Sequence, residues 1–285
     1  MNTHKLIKLP VFLLVALIML SGCGNDTYAI EKKFWHLKQK AQKIYQNPDA
    51  SPPNELQRTV ELFKKFYTDH AKNNLSIDAE FEIAKLYLAK KEYSDCRKFL
   101  KEMASRHTDN DNLLAEISFF SANTFEKENK WGEALNGYRA IIEKFPTTVR
   151  GISIPTYIAE YYHSKFQPDK SIEAFKDAAN HYLGLANKYP NTPMSFNMHI
   201  LAVQCYSAIK DWPQTVAMMD LILEKYKGKI NLEELYLNKA LICLHQLKDK
   251  VKAKETVEAL LKEYPKTKLK KAAEAFLDKI SKEAP

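Results

Sequence analysis

Glycine is scarce. The chain of 285 residues holds 7 Gly, and two of them, Gly22 and Gly24, fall before residue 25. The five left for the rest exclude Gly-rich phosphate loops and a fold built on many tight β-turns. Cysteine is sparse too: Cys23, Cys96, Cys205 and Cys243 occur without C-x-x-C or any zinc-like spacing. The 8 His form neither H-x-x-x-H nor H-E-x-x-H, and His163, His181, His199 and His245 stand singly. That is the pattern of surface or satisfied core histidines rather than ligands, so no metal and no cofactor is expected. The apolar run Val11–Leu20 spans ten residues, about half of what a membrane-crossing helix needs.

What remains is helical material. The composition is 45% apolar and 27% charged, which excludes wholesale disorder, and Lys, Glu, Ala and Leu dominate.

The first residues carry an address. Lys5 and Lys8 precede the apolar run with no acid among them, the layout of a signal-peptide core. Leu20-Ser21-Gly22-Cys23 follows directly and resembles the lipobox of bacterial lipoproteins. The resemblance implies cleavage before Cys23 and acylation of its thiol, and Gly24 in place of Asp implies delivery to the outer membrane, facing the periplasm. The expected organisation is a signal peptide over 1–22, a lipidated tether over 23–29 and a folded body over 30–285. Loss of Lys5 and Lys8 with the leader lowers the net charge from +8 to +6. An exported lipoprotein meets no nucleic acid, so a pI near 9.0 needs another reading. Residues 225–285 carry 15 Lys against 9 acids, while 23–224 are balanced. A solvated polar face is one reading; an acidic partner or lipid headgroups is the other. Cys205 and Cys243 meet an oxidising compartment. They occupy equivalent positions on neighbouring helices, however. Helices pack about 8–10 Å apart, against the roughly 5.5 Å Cα separation of a disulfide. The alternative is burial as small hydrophobes.

The body repeats itself. Trp131, Ala134, Tyr138, Ile141, Phe145 and Pro146 share their spacing with Phe175, Ala178, Tyr182, Leu185, Tyr189 and Pro190. Ala253, Val257, Leu260, Tyr264 and Pro265 form a third copy, and weaker copies centre on Thr59, Cys96 and Thr215. The small residues Thr59, Cys96, Ala134, Ala178, Thr215 and Ala253 are separated by 37, 38, 44, 37 and 38 residues. Offsets of 4 and 7 mark one face of a helix, and a small residue permits two helices to cross closely. Pro146, Pro190 and Pro265 end their helices, because proline disfavours the α conformation in the residue before it. A first helix lies upstream, with Ala84, Ala122, Val203 and Leu241 each 12 residues before a small residue. Thr192 before Pro193 reads as an N-cap with a first-turn proline, and Asn231 with Glu234 as a capping box. The 44-residue interval predicts extra turns over 152–189, with Pro168-Asp169 replacing the usual tight turn. Asn47–Asn54 is expected as a loop, and residues 268–282 as a capping helix over the last apolar face.

This pattern resembles the tetratricopeptide repeat (TPR), lengthened by about one turn. The endings around Phe145-Pro146, Tyr189-Pro190 and Tyr264-Pro265 are similar to the long-helix TPRs of periplasmic lipoproteins. Those include the D component of the outer-membrane β-barrel assembly machinery and the TPR protein of the Tol-Pal cell-division system. Phe66-Tyr67-Thr68-Asp69 departs from the Tyr-Pro ending usual in the first unit of the D component. The resemblance implies an all-α, right-handed superhelical solenoid of about six helix pairs plus a C-terminal capping helix, whose concave face takes envelope proteins or peptides.

Catalytic signatures are thin. Ser207-Ala208-Ile209-Lys210 matches S-x-x-K without S-D-N or K-T-G. Asp109-Asn110-Asp111-Asn112 lacks the Gly and distant Glu of a calcium loop and reads as a polar loop capping the next helix. The expected function is that of a non-enzymatic, membrane-anchored scaffold in outer-membrane protein assembly. Cell-division coordination, pilotin-like secretin assembly, a glycan-binding module and an enzyme are the alternatives.

Overall fold

The computed structural model describes residues 24–282, so Cys23 and the segment 1–22 lie outside the described residues. Among the described residues there are thirteen helices and no strand. None of these helices is long and apolar enough to cross a membrane. The all-α, helix-pair fold class inferred from the sequence is the one present.

The chain divides into two compact units. The first, through Thr148, contains α1 (Gly24–Gln46), α2 (Pro53–Asp69), α3 (Leu75–Ala89), α4 (Tyr93–Arg106), α5 (Asp111–Lys127) and α6 (Trp131–Lys144). The second, from Val149, contains α7 (Val149–Ser164), α8 (Pro168–Lys188), α9 (Pro193–Ala208), α10 (Trp212–Tyr226), α11 (Glu233–His245), α12 (Lys250–Glu263) and α13 (Lys270–Lys282). Within each unit a helix packs chiefly on its neighbours in sequence, save α1, which packs more on α3 than on α2. The connections are short, which makes those neighbours antiparallel.

One device recurs at the turn inside every pair after the first. Lys91, Asn129, Phe166, Lys210 and Lys248 have φ of 60°, 61°, 55°, 58° and 58°. In four pairs the next N–H reaches back five residues: Glu92 to the Tyr87 carbonyl, Lys130 to Phe125, Gln167 to Tyr162 and Asp211 to Tyr206. This is the Schellman closure of a helix end, in which a left-handed residue turns the chain. The small residue follows the left-handed one by five positions. It is Cys96, Ala134, Ser171, Thr215 or Ala253, and all are buried.

That register revises the fourth pair. Its turn-equivalent small residue is Ser171, seven positions before Ala178, because the extra two turns lengthen the C-terminal part of α8 rather than its start. Pro168 does not replace the tight turn; it stands at the start of α8, where its missing N–H is harmless. The last pair differs in another way. Asp249 N–H reaches back six residues, to the Cys243 carbonyl, so this turn is one residue longer. The shift puts Ala240 in the core and leaves Leu241, expected at the crossing, 37% exposed.

Other local expectations divide similarly. Thr192 accepts from Ser195 N–H at 3.2 Å ahead of Pro193, as an N-cap should. Asn110 caps α5 by accepting from Leu113 N–H at 3.1 Å. Asn231 forms no box with Glu234: its side chain accepts from Glu233 N–H at 2.9 Å, one position before the true cap, Leu232. The loop expected over 47–54 is shorter, spanning residues 47–52 because the next helix begins at Pro53, and Lys90 Nζ pins it by donating to the Pro48 and Ser51 carbonyls at 2.5 and 3.1 Å. The stretch expected as tether over 23–29 is helical from Gly24 onward. The capping helix is α13, which buries Ala273 and Ile280.

Candidate interaction grooves

In the first unit the first helices of successive pairs, α1, α3 and α5, line one open groove of about 310 Å³. Phe34, Phe81 and Phe120, one from each helix, supply its aromatic surface. Phe34 is fixed from behind by Phe63 and Phe66 of α2, with ring centroids 6.3 and 5.4 Å away. Phe81 and Phe120 lie 5.1 Å apart. The polar wall is built on Glu82, which accepts from Tyr45 Oη at 2.8 Å and from Lys85 Nζ at 3.0 Å. Burial, then the charge and hydrogen bond of Glu82, push the Tyr45 phenol far above its usual range, so it stays a neutral donor. Lys38 Nζ lies 5.8 Å from the Phe34 ring and Asp78 stands at the opening. An apolar floor with charges of both signs at its edge can take an apolar side chain from a partner and bond its flanking polar groups.

The second unit has a larger groove, about 740 Å³. Phe196 and Ile200 of α9 and Leu235 and Asn238 of α11 line it, with Lys266–Leu269 closing one end. Thr267 Oγ1 donates to Glu233 Oε2 across that end, and Tyr264 Oη accepts from Leu232 N–H at 3.1 Å.

Buried polar clusters serve the scaffold. Glu80 is 1% exposed; its Oε1 accepts from Arg106 Nε and Nη2 at 3.0 and 2.5 Å, and its Oε2 lies 2.6 Å from His107 Nε2. Lys239 Nζ and Lys252 Nζ hold the two carboxylate oxygens of Asp220 at 2.5 and 3.1 Å. These clusters fix which helices meet, because losing its partners strands the buried Glu80 carboxylate or the buried Lys239 ammonium, while Asp220 and Lys252 themselves are partly exposed. Cys96, Cys205 and Cys243 are free and buried. Burial pushes the thiols of Cys96 and Cys205 up to about 12 and raises Cys243 as well, so all three are held as thiols.

Thr59, Cys96, Ala134, Ala178, Thr215 and Ala253 are all buried in second helices of pairs. Pro146, Pro190 and Pro265 each follow a helix whose C-cap is Phe145, Tyr189 or Tyr264. None of these lines a groove; Cys23 lies outside the described residues. The groove residues Phe34, Phe81 and Phe120 escaped sequence reasoning, which followed the second helices, where the repeat pattern is strongest.

No protein-family model matches the chain, and no curated protein matches it either. Similar solved structures exist. The C-terminal part of a TPR repeat-containing protein from Cytophaga hutchinsonii aligns at 18% identity and TM-score 0.40, over 80% of this chain and 79% of that one. A tetratricopeptide repeat protein from Parabacteroides merdae aligns at 12% identity and TM-score 0.32, over 88% and 99%. The TPR2AB domain of yeast Sti1, solved in complex with pHSP90, aligns at 14% identity and TM-score 0.31, over 90% and 99%.

Proposed function

We propose that this chain is a non-enzymatic interaction scaffold that holds partner proteins or peptides in the grooves of its first helices. It would be anchored through an acylated Cys23 at the periplasmic face of the outer membrane and serve outer-membrane protein assembly. The observation that carries the scaffold reading is the alignment of Phe34, Phe81 and Phe120 from three successive pairs along one groove. Binding energy there comes from buried aromatic surface, about 25 cal/mol per Å². The linings also weigh against the glycan alternative. The aromatic residues in both grooves are Phe, which offers no hydroxyl or indole N–H to a sugar. The anchoring and the pathway rest on the resemblance of Leu20–Cys23 to a lipobox and of the repeat endings to periplasmic TPR lipoproteins.

Affinity capture from solubilised membranes, with an acylation-blocked Cys23→Ala chain and a Phe81→Glu/Phe120→Glu chain as controls, tests both parts. Recovery of the barrel-assembly core protein, lost in the groove variant, supports the assignment. Recovery of peptidoglycan-linked, division or secretin proteins alone rejects the pathway and leaves the scaffold. Capture unaffected by the groove variant rejects the groove.

A further inference from the structure

The first pair is the least closed in the fold. α1 and α2 pack on each other less than the two helices of any later pair. Between them lies a cleft of about 320 Å³, lined from α1, from α2 and by His70 at the end of α2, with no residue of α3. It opens on the outer side. Lys33 and Lys40, which line it, stand ~120–140° round α1 from Tyr45, whose hydroxyl donates to Glu82 of α3. The last pair is finished differently. It is covered by α13, whose Ala273, Phe276 and Ile280, at offsets of 3 and 7, join the cores of α11 and α12. A helical array needs such a cover at both ends, and no described helix provides one for α1 and α2.

Charge and spacing define what fits. The apolar lining is Leu37 of α1 with Leu62 and Phe66 of α2, and Leu62 is 37% exposed. Lys33 and Lys40 line the cleft from α1 and Lys65 from α2, with Asp69 the one acid among the lining residues. The three lysines make no ion pair with described residues. Lys33 and Lys40 are seven residues apart, two turns or about 10.5 Å, with Leu37 between them. That is the interval at which a helix laid in a groove repeats its anchors. The segment 1–23 of this chain does not suit the seat, because it carries Lys5 and Lys8 and no acid. Nor is the cleft part of a membrane-facing plane: the exposed rings of α1, Tyr28 and Trp35, lie about 120–160° round the helix from Lys33 and Lys40.

We infer that this outer cleft docks an acidic amphipathic helix of a partner protein, which closes the first pair as α13 closes the last. Its apolar side chains settle on Leu37, Leu62 and Phe66, and its carboxylates meet Lys33, Lys40 and Lys65. The surface is distinct from the groove of Phe34, Phe81 and Phe120, which α1, α3 and α5 form. It stands whether or not that groove takes a partner, and whether or not Cys23 is acylated.

The test is fluorescence anisotropy of a labelled, stapled helical peptide with the full chain. The peptide repeats leucine at intervals of three and four residues and flanks that stripe with glutamate. It should bind saturably below about 1 mM. Leu62→Glu, and separately Lys33→Glu/Lys40→Glu/Lys65→Glu, both at exposed positions and checked for native helicity, should each weaken it about ten-fold or more. The same peptide with lysine for glutamate should prefer the charge-reversed chain to the native one. Phe81→Glu/Phe120→Glu should leave the affinity unchanged; a loss there would place the peptide in the other groove and overturn the inference. Absence of saturable binding overturns it, and so does equal binding by a peptide of the same composition with its leucines scattered round the helix. A chain that ignores the peptide yet floats with phosphatidylglycerol vesicles through the three lysines has a lipid in the cleft. One that dimerises through them in sedimentation has a second copy there. Either result overturns the partner helix.

Discussion

Ser171 Oγ donates to the Ala159 carbonyl at 3.1 Å, across a helix crossing and twelve residues back in sequence. The Cys96 thiol meets the Ala84 carbonyl at 3.4 Å with the same separation. A small side chain that bonds the facing backbone brings the two helices close and fixes their register at once. Space is the larger of the two effects, because the carbonyl is already served within its own helix. Ser171→Ala is therefore expected to cost about 1 kcal/mol or less. Ser171→Leu, which must force α7 and α8 apart, is expected to cost about 2–3 kcal/mol. Urea denaturation of the two variants measures both. Equal costs would assign the stability to the hydrogen bond instead.

The same logic is sharper between α5 and α6. A Cβ added to Gly137 would sit 2.8 Å from the Cβ of Ala122, with the Ala122 backbone at 3.5 Å. Alanine ordinarily stabilises a helix over glycine by about 1 kcal/mol. Here overpacking of about 1–3 kcal/mol opposes it, and Gly137→Ala is expected to lower stability. The compensating Ala122→Gly should recover most of the loss when combined with it. A double-mutant cycle by thermal melts checks this; additive effects would mean that the two helices part without cost.

The repeat turns hold a reserve of stability. Lys91 and Lys210 occupy left-handed backbone at φ 60° and 58°, where a Cβ costs roughly 1–2 kcal/mol and glycine costs none. Lys91→Gly and Lys210→Gly are thus expected to stabilise by about 1 kcal/mol each, in contrast to glycine placed one turn earlier in either helix. Chemical denaturation of the four variants gives the comparison. Destabilisation by Lys210→Gly would mean that its side chain contributes more than its backbone strain removes.

These turns explain what could be read from the sequence and what could not. Second helices were legible because Ala134, Tyr138 and Ile141, or Ala253, Val257 and Leu260, repeat the spacing of a buried face, and burial follows. The pair boundaries were harder. A helix end normally announces itself with glycine, and here Lys, Asn or Phe takes that position. Without that signal, the Tyr189-Pro190 ending points to Ala178, whereas the turn at Phe166 sets the crossing at Ser171. Leu241 misleads for the same reason, since one extra residue before Asp249 carries no compositional mark. The grooves were least legible. Phe81 and Phe120 come from α3 and α5, whose buried and groove-facing sides spread apolar residues round the helix and blur the period, and Phe34 lies in α1, ahead of the copies of the repeat.

The second unit should also respond to mild acid. His199 is 2% exposed and lies 2.6 Å from the Ser195 carbonyl through Nδ1, which places its proton there. Tyr226 Oη stands 3.2 Å from the same nitrogen and donates to Ser195 Oγ at 3.0 Å; Ser195 Oγ donates in turn to the Ala186 carbonyl at 2.9 Å. Burial lowers the His199 pKa, the Ser195 hydrogen bond opposes that, and the Lys225 charge lowers it further. Burial lowers His181 as well. In the window between the depressed folded value and the unfolded value near 6.5, the unfolded chain binds the proton and the folded chain does not. Stability is therefore fully present above about pH 6.5 and declines as the pH falls through that window, by about 1.4 kcal/mol for each unit of displacement. Glu128, held below its usual carboxylate range chiefly by its hydrogen bond from Arg97, contributes with the same sign only at lower pH. Melting temperatures between pH 7.5 and 5.5 should decline in the native chain, and less so in His199→Gln, which keeps a polar side chain without the titration. Parallel declines in the two proteins would assign the acid sensitivity to His181 or elsewhere, and remove the Ser195–His199–Tyr226 cluster from the account.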